Sequence, residues 1–204
     1  ADGRSEFQFL GETIGHCFDR IAAEYPNHQA VVSVPQNLRF TYDEFRFVVN
    51  RAAKAFLKLG VERGDRVAIW STNNYEWVAA QYAAAKIGAI LVNVNPAYRT
   101  HELEYVLRRS RAKALLLIES FKSSNYVEMF YEICPEARLS EPGHLDSWRY
   151  PNLTTIVFIG HDNHPGMFTR RAFAELGDEM PDDELAMREA SMEMYNVINI
   201  QSTS

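Results

Sequence analysis

The sequence predicts an α/β fold built on a parallel, helix-flanked sheet, and three observations carry that prediction. Val67 to Trp70, Ile90 to Val94, Ala114 to Ile118, Thr155 to Ile159 and Val197 to Ile200 are short, continuously apolar runs, as expected of strands covered on both faces. Helical segments separate the early runs, at roughly Tyr75 to Ile87, Glu102 to Ser110 and Tyr126 to Cys134. The composition, 47% hydrophobic and 24% charged over 204 residues, is that of a globular chain large enough for a substantial core. Alternation of the two element types makes a doubly wound layer.

Taken in order, Ala1 to Phe9 has no apolar stretch of the signal-peptide kind, and residues 1–10 read as an expression remnant or as disordered. Thr13 to Tyr25 places Ile14, Phe18, Ile21, Ala22 and Tyr25 on one helical stripe, ended by Pro26. Ala30 to Val34 and Leu38 to Thr41 form a short strand pair around Pro35-Gln-Asn37. Thr41-Tyr-Asp-Glu44 has a hydroxyl at the cap and a carboxylate three residues on, which is a capping box. The following helix carries Phe45, Val48, Val49, Ala52, Ala53, Phe56 and Leu57 at steps of three and four, and Gly60 closes it. Such a stripe does not stay in water. It packs back on the rest of the chain, or a second copy covers it in a homodimer.

Tyr75 to Ile87 is apolar nearly all round and therefore deeply buried. Pro135 to Leu153, rich in proline and glycine, reads as an irregular surface excursion. Glu175 to Glu193 is crowded with acids and reads as a solvated, helix-bearing linker.

A net charge of −6 argues against nucleic acid as a partner. No run reaches the roughly 18–20 apolar residues of a membrane-spanning helix. Cys17 and Cys134 sit outside any metal-ligand spacing, each on the apolar side of a helix, which implies reduced thiols and a cytoplasmic location.

The chemistry-bearing candidates are few. There is no Walker-type lysine loop and no G-x-G-x-x-G. His161-Asp-Asn-His164 beside Pro165-Gly166 lacks a third ligand and reads as a polar turn rather than a metal pair. Arg108, Arg109, Arg111 and Lys113 cluster at a helix end, where cations suit the helix dipole; the alternative is a docking surface for the phosphates of a large cofactor. Trp70, Trp77, Tyr82 and Tyr105 read as core or helix-face aromatics, and Tyr98 sits in the Asn95-Pro-Ala-Tyr-Arg99 turn at the carboxyl end of a strand. Ligands bind at that end of α/β sheets. Gln201-Ser-Thr-Ser204 follows the last strand, where hydroxyls and backbone amides can hold phosphate oxygens if the chain turns into a cradle.

Phe40-Thr-Tyr-Asp-Glu-Phe45, Asn50-Arg-Ala-Ala53, Leu59-Gly-Val-Glu-Arg-Gly-Asp-Arg-Val67, Lys86-Ile-Gly-Ala89, Asn95-Pro96 and Glu102-Leu-Glu-Tyr-Val106 occur in that order. With this spacing the chain, from about Gly11 to Ser204, resembles the large domain of AMP-forming acyl-CoA synthetases. Ile133-Cys-Pro-Glu136, Pro142-Gly143 and Pro151-Asn-Leu-Thr-Thr155 look most like the medium-chain branch called family member 2.

The resemblance implies an incomplete large domain. Residues 11–60 begin a first α/β subdomain, and residues 61–204 form a second that ends at the start of the phosphate-binding loop. It implies a fatty acid–CoA ligase that uses ATP, Mg2+ and CoA to form an acyl-adenylate and then acyl-CoA. Thr203 and Ser204 match the first two residues of the family's Thr-Ser-Gly-Thr-Thr-Gly loop. Ser202 departs from the bulkier residue usual there. The glycines, lysine, metal-binding glutamate and mobile C-terminal domain of the family are absent, so no cofactor is expected on this chain alone, which is expected to be inactive. The competing expectation is a free-standing α/β binding or regulatory module without turnover.

Overall fold

A computed structural model describes residues 11–201. The possible remnant at residues 1–10 and the predicted phosphate-loop residues Thr203 and Ser204 lie outside that range. The chain runs α1 (Ile14–Glu24), β1 (Gln29–Ser33), β2 (Leu38–Thr41), α2 (Tyr42–Lys58), β3 (Arg66–Trp70), α3 (Tyr75–Ile87), β4 (Ile90–Val94) and α4 (Thr100–Ser110). It continues through β5 (Ala112–Leu117), the short pair β6 (Ser120–Phe121) and β7 (Ser124–Asn125), α5 (Tyr126–Ile133) and a 3-10 turn at Pro135–Leu139. The last elements are β8 (Thr155–Phe158), β9 (Phe168–Thr169), α6 (Arg170–Asp178), α7 (Asp182–Ala190) and β10 (Asn199–Gln201).

Six strands form one sheet in the order β10-β4-β3-β5-β8-β9, and every neighbouring pair is parallel. The pleat sorts the apolar runs between two cores. Ala68, Trp70, Val92, Val94, Leu115, Leu117, Ile156 and Phe158 face α4 and α5. Val67, Ile69, Leu91, Ala114, Leu116 and Val157 face the other way, towards α1, α2, α3 and α6. Buried on both sides, these strands could not alternate polar with apolar, which is why they read as continuous runs.

Local signals set the helix ends. The Thr41 hydroxyl accepts from the Glu44 amide at 3.2 Å, and the Glu44 carboxylate accepts from the Thr41 amide at 2.8 Å. Asn74 Oδ1 caps α3 by accepting from the Trp77 amide at 2.8 Å. Gly88, at φ +75°, turns the chain out of α3 into β4.

One alternative is decided and two expectations need correction. The apolar stripe of α2 is covered within the chain: Phe45, Val49, Ala53 and Phe56 are buried against α1, α3 and α6. An exposed stripe, the premise of the homodimer, is therefore missing. The acidic segment Glu175 to Glu193 bears the expected helices and keeps most of its acids exposed, but it is docked on α2 rather than a free linker. Phe173 and Gly177 of α6 are buried, and Gly177 lies so close to the Arg51 carbonyl that any side chain would collide with it. The acids of α6 and α7 answer cations on α2: Asp178 pairs with Arg51, Asp182 with Lys54 at 2.7 Å and Glu179 with Lys58 at 3.4 Å. Nor is the stretch after α5 a surface excursion, since Leu145, Tyr150 and Leu153 enter the α4–α5 core. Irregular backbone there leaves apolar side chains free to turn inward. β10 departs in a smaller way: it starts at Asn199 and is half exposed, as an outermost strand must be.

Candidate functional site

The chain leaves β3 into α3 on one face and leaves β5 towards α5 on the other. With β4 and β5 on opposite sides of β3, the loops diverge at the carboxyl ends of β3 and β5. Open α/β sheets bind ligands at such a switch point.

The first loop is self-contained. The Ser71 hydroxyl donates to the Thr72 carbonyl and accepts from Asn74 Nδ2, each at 2.8 Å. After β4, the Asn95 side chain accepts from the Ala97 amide at 2.9 Å, and Tyr98 is half-buried against the α4–α5 core. The Tyr126 hydroxyl donates to the Pro96 carbonyl, fixing this turn. Its ring lies flat on Trp70, with centroids 3.6 Å apart. Burial pushes the Tyr126 hydroxyl up to about 12, so it acts as a neutral donor that positions backbone.

The two histidines after β8 are drawn to different partners. His161 Nε2 lies 3.1 Å from the Arg170 guanidinium, whereas His164 Nε2 lies 3.3 Å from Glu119, its ring edge-on to Phe158. Among the described residues no group of three or more histidines, cysteines and acids could hold a metal ion.

Beside this edge, between the sheet and α2, α3 and α6, lies a cleft of about 560 Å³. Leu116 and Val157 floor it, and Phe56, Ala79, Ala80 and Phe173 wall it. Its polar rim is already paired. Arg170 Nη1 donates to Glu76 Oε1 at 2.8 Å and to the Tyr75 hydroxyl at 3.3 Å, and Gln36 Nε2 donates to Glu76 Oε2 at 2.8 Å. The cleft can accept an apolar group but offers no unpaired nucleophile or base. Sequence reasoning missed it because Phe173, on its wall, precedes the Glu175 to Glu193 segment and belongs to no element that the sequence predicts. The signal was Phe173 and Gly177, an aromatic and a small residue on one helical face.

A second unforeseen centre lies at the amino edge. The buried Lys86 ammonium donates to Asp19 Oδ2 and Asn50 Oδ1, each at 2.6 Å, and pairs with Glu189 Oε1 at 2.9 Å. All three of its hydrogens are used, and α1, α2, α3 and α7 are tied together. Burial pushes the Glu189 carboxyl above its ordinary value despite Lys86. An open groove of about 720 Å³ lies here, lined by Glu12, His16, Asp19, Glu189 and Glu193 among others. It is at the wrong edge for a switch-point ligand.

The predicted basic cluster is split. Lys113 turns away to the Gly60 carbonyl and to Asp65 Oδ2, while Arg108, Arg109 and Arg111 stay exposed. Both thiols are free, and burial raises both, Cys134 to about 11. No described helix is long and apolar enough to cross a membrane.

At the last described residue, Gln201 pairs in parallel with Asn93 of β4, so β10 points towards the same carboxyl edge as the other loops.

Residues 18–169 match the family model described as AMP-binding enzyme. YngI of Bacillus subtilis (strain 168), assigned as an acyl-CoA synthetase, is 40% identical over 197 residues, covering 97% of this chain and 36% of YngI. The mitochondrial medium-chain acyl-CoA ligase ACSF2 of Rattus norvegicus is 36% identical over 202 residues, 99% of this chain and 33% of the ligase. The chain thus spans about a third of the length of these relatives. Among solved structures, the anthranilate CoA ligase AuaEII with anthranoyl-AMP superposes with a TM-score of 0.72 at 20% identity, covering 97% of this chain and 33% of that one. The N-terminal domain of FACL13 from Mycobacterium tuberculosis superposes at 0.67 with 23% identity, covering 95% and 42%. At such identities the superpositions speak for the fold.

Proposed function

Because the chain belongs to the AMP-binding enzyme family, we propose that it supplies the strands and the start of the phosphate loop of a fatty acid–CoA ligase. That ligase converts a carboxylate and Mg-ATP to an acyl-adenylate and pyrophosphate, and CoA then displaces AMP. Residues 11–60 begin one subdomain and residues 61–204 make up most of a second; the core that α1 and α2 share with the sheet is their meeting surface. A cytoplasmic location fits the two free thiols.

The observation that carries the reading is the parallel pairing of β10 with β4. A chain leaving Gln201 in that direction meets the edge where α/β sheets hold nucleotide phosphates. Thr203 and Ser204 are assigned to the ATP phosphates, which hydroxyls and backbone amides can bind. The turn fixed by Tyr126 borders the same edge, and the apolar cleft lies beside it. Bound Mg2+ would offset phosphate charge; among the described residues no group of three or more histidines, cysteines and acids could hold it.

In the full-length ligase, pyrophosphate release from Mg-ATP should appear on adding a fatty acid, tested from short to long chains. No release with any carboxylic acid would overturn the reading. The 204-residue chain itself should be inactive. Two or three hydrogen bonds of about 0.5–1.5 kcal/mol each do not offset an association cost of about 4 kcal/mol or more. Titration calorimetry with Mg-ATP should show no saturable heat at submillimolar concentration, and a micromolar dissociation constant would move the nucleotide site elsewhere.

A further inference from the structure

Between the end of α4 and the loop before β8 lies a small concavity of about 130 Å³. Buried Leu107, Ala112 and Leu153 line it together with exposed Arg108, Arg111 and Arg149. Among the described residues Arg111 and Arg149 pair with no carboxylate, and Arg108 has only Glu104, at 3.7 Å. The negative end of the α4 dipole, which would repel an anion, is already answered. Arg66 donates to the Ser110 carbonyl at 2.6 Å and to the Arg111 carbonyl at 3.0 Å.

Tyr150 lines the same concavity. It is 3% exposed, and its hydroxyl is buried without a hydrogen-bond partner among the described residues. Burial holds that hydroxyl above its ordinary pKa, Glu104 adds to the effect, and Arg149 and Arg108 oppose it. The group is therefore a neutral donor with no acceptor, within electrostatic reach of two of the three guanidinium groups. A buried O–H left unpaired is costly. The Arg149 guanidinium lies over the Trp148 ring, 5.2 Å from its centroid, a contact that favours keeping the cation beside this loop.

We propose that this concavity binds a small tetrahedral oxyanion: inorganic phosphate, or the phosphate group of a compact, soluble monoester. Guanidinium forks match the oxygens of such an ion, and an oxygen accepting from Tyr150 satisfies the donor that the core leaves unpaired. The volume sets the class. It is about four times the share of one water molecule in the liquid, enough for an ion of five heavy atoms. It falls below the about 300–1,000 Å³ of pockets that take larger organic ligands, so the remainder of a monoester stays in water. The end of α4 and the start of β5 lie at the amino edge of the sheet, opposite the loops of the switch point. None of this depends on the ligase reading.

Titration calorimetry of the 204-residue chain with sodium phosphate, against sodium chloride at matched ionic strength, tests the proposal. Phosphate should bind saturably at about 1 mM, as a few charge-assisted hydrogen bonds less the cost of association allow, and chloride should not. Arg108→Gln and Arg149→Gln should each weaken binding about tenfold. Arg111 sits at φ +52°, a left-handed conformation that suits glycine. Arg111→Gly should therefore weaken binding as much while the thermal midpoint holds or rises. Tyr150→Phe removes a hydroxyl that bonds to nothing in the free chain, so it should fold as well yet bind phosphate about fivefold more weakly. Arg171→Gln, on α6 across the sheet, should bind as the unaltered chain does, and soluble glycerol phosphate should compete with phosphate. Binding confined to vesicles of phosphatidic acid, unchanged affinity in Tyr150→Phe or Arg111→Gly, or a response that chloride reproduces would each overturn the proposal.

Discussion

The two faces of the sheet solve the same burial problem with opposite materials. On the α4–α5 face a single layer of helices meets the strands through large side chains: Trp70 stacked on Tyr126, with Leu103, Phe130 and Tyr150 around them. On the other face α3 presents Ala79, Ala80, Ala83 and Ala84, and α1, α2, α6 and α7 gather over and around it. Small residues let α3 lie close to the strands, and the helices outside it are then held by ion pairs and by the Lys86 centre as much as by apolar contact. One face draws its stability from shape, the other from many weaker ties between chain-distant helices. The looser construction also leaves the 560 Å³ cleft.

The largest expected effect is on the bulky face. Trp70→Ala should destabilise the chain by about 3–5 kcal/mol, since it empties a fully buried site and removes the Tyr126 stack. A denaturant midpoint that scarcely moves would show that this face is as loosely built as the other. Ala83→Leu probes the opposite constraint, because extra volume between α3 and the strands must push one of them aside. A loss of about 1–3 kcal/mol is expected in the same unfolding experiment, and a stabilised variant would mean that α3 has room to spare.

A pH series separates the faces further. Burial holds the folded-state carboxyl of Glu189 above its ordinary value of 4.5, so the native state binds more protons there than the unfolded chain does. Its contribution is fully present below the unfolded pKa and is lost as pH rises through the raised folded value. Glu189→Gln should accordingly gain stability relative to the unaltered chain as pH climbs above about 4.5, in thermal melts across the acid-to-neutral range. A difference that is flat with pH would show that Lys86 fully offsets the burial of this acid. The smallest effect belongs to the outer ion pairs. Glu179→Gln, which releases Lys58, should cost about 0.2–1 kcal/mol at low salt, and the cost should fade as salt is added.

Much of the architecture was legible in the chain. The capping box at Thr41 and Glu44, the all-round apolarity of Tyr75 to Ile87 and the strand runs from Val67 onward each rest on residues a few positions apart. Local chemistry and pleat geometry act over that distance. Of the candidate site, the sequence made readable the edge at which the strand ends gather. It gave no sign of which side chains meet there. His161 and His164, three residues apart, diverge to Arg170 and Glu119, while Tyr126 reaches back to Pro96.

What the sequence by itself determined is the α/β class, most element boundaries and membership in the AMP-binding enzyme family, because these depend on short-range periodicity and on motifs in fixed order. Only the tertiary structure decided that the acidic segment is a packed helix pair, that Leu145 and Tyr150 turn into the core, and that one buried lysine ties four helices together. Arg51 and Asp178 stand 127 residues apart, and an acid reads the same in sequence whether water or an arginine on α2 awaits it. The pairing is chosen by the free energy of burying Phe173 and Gly177 against α2, a quantity that exists only once the helices have met.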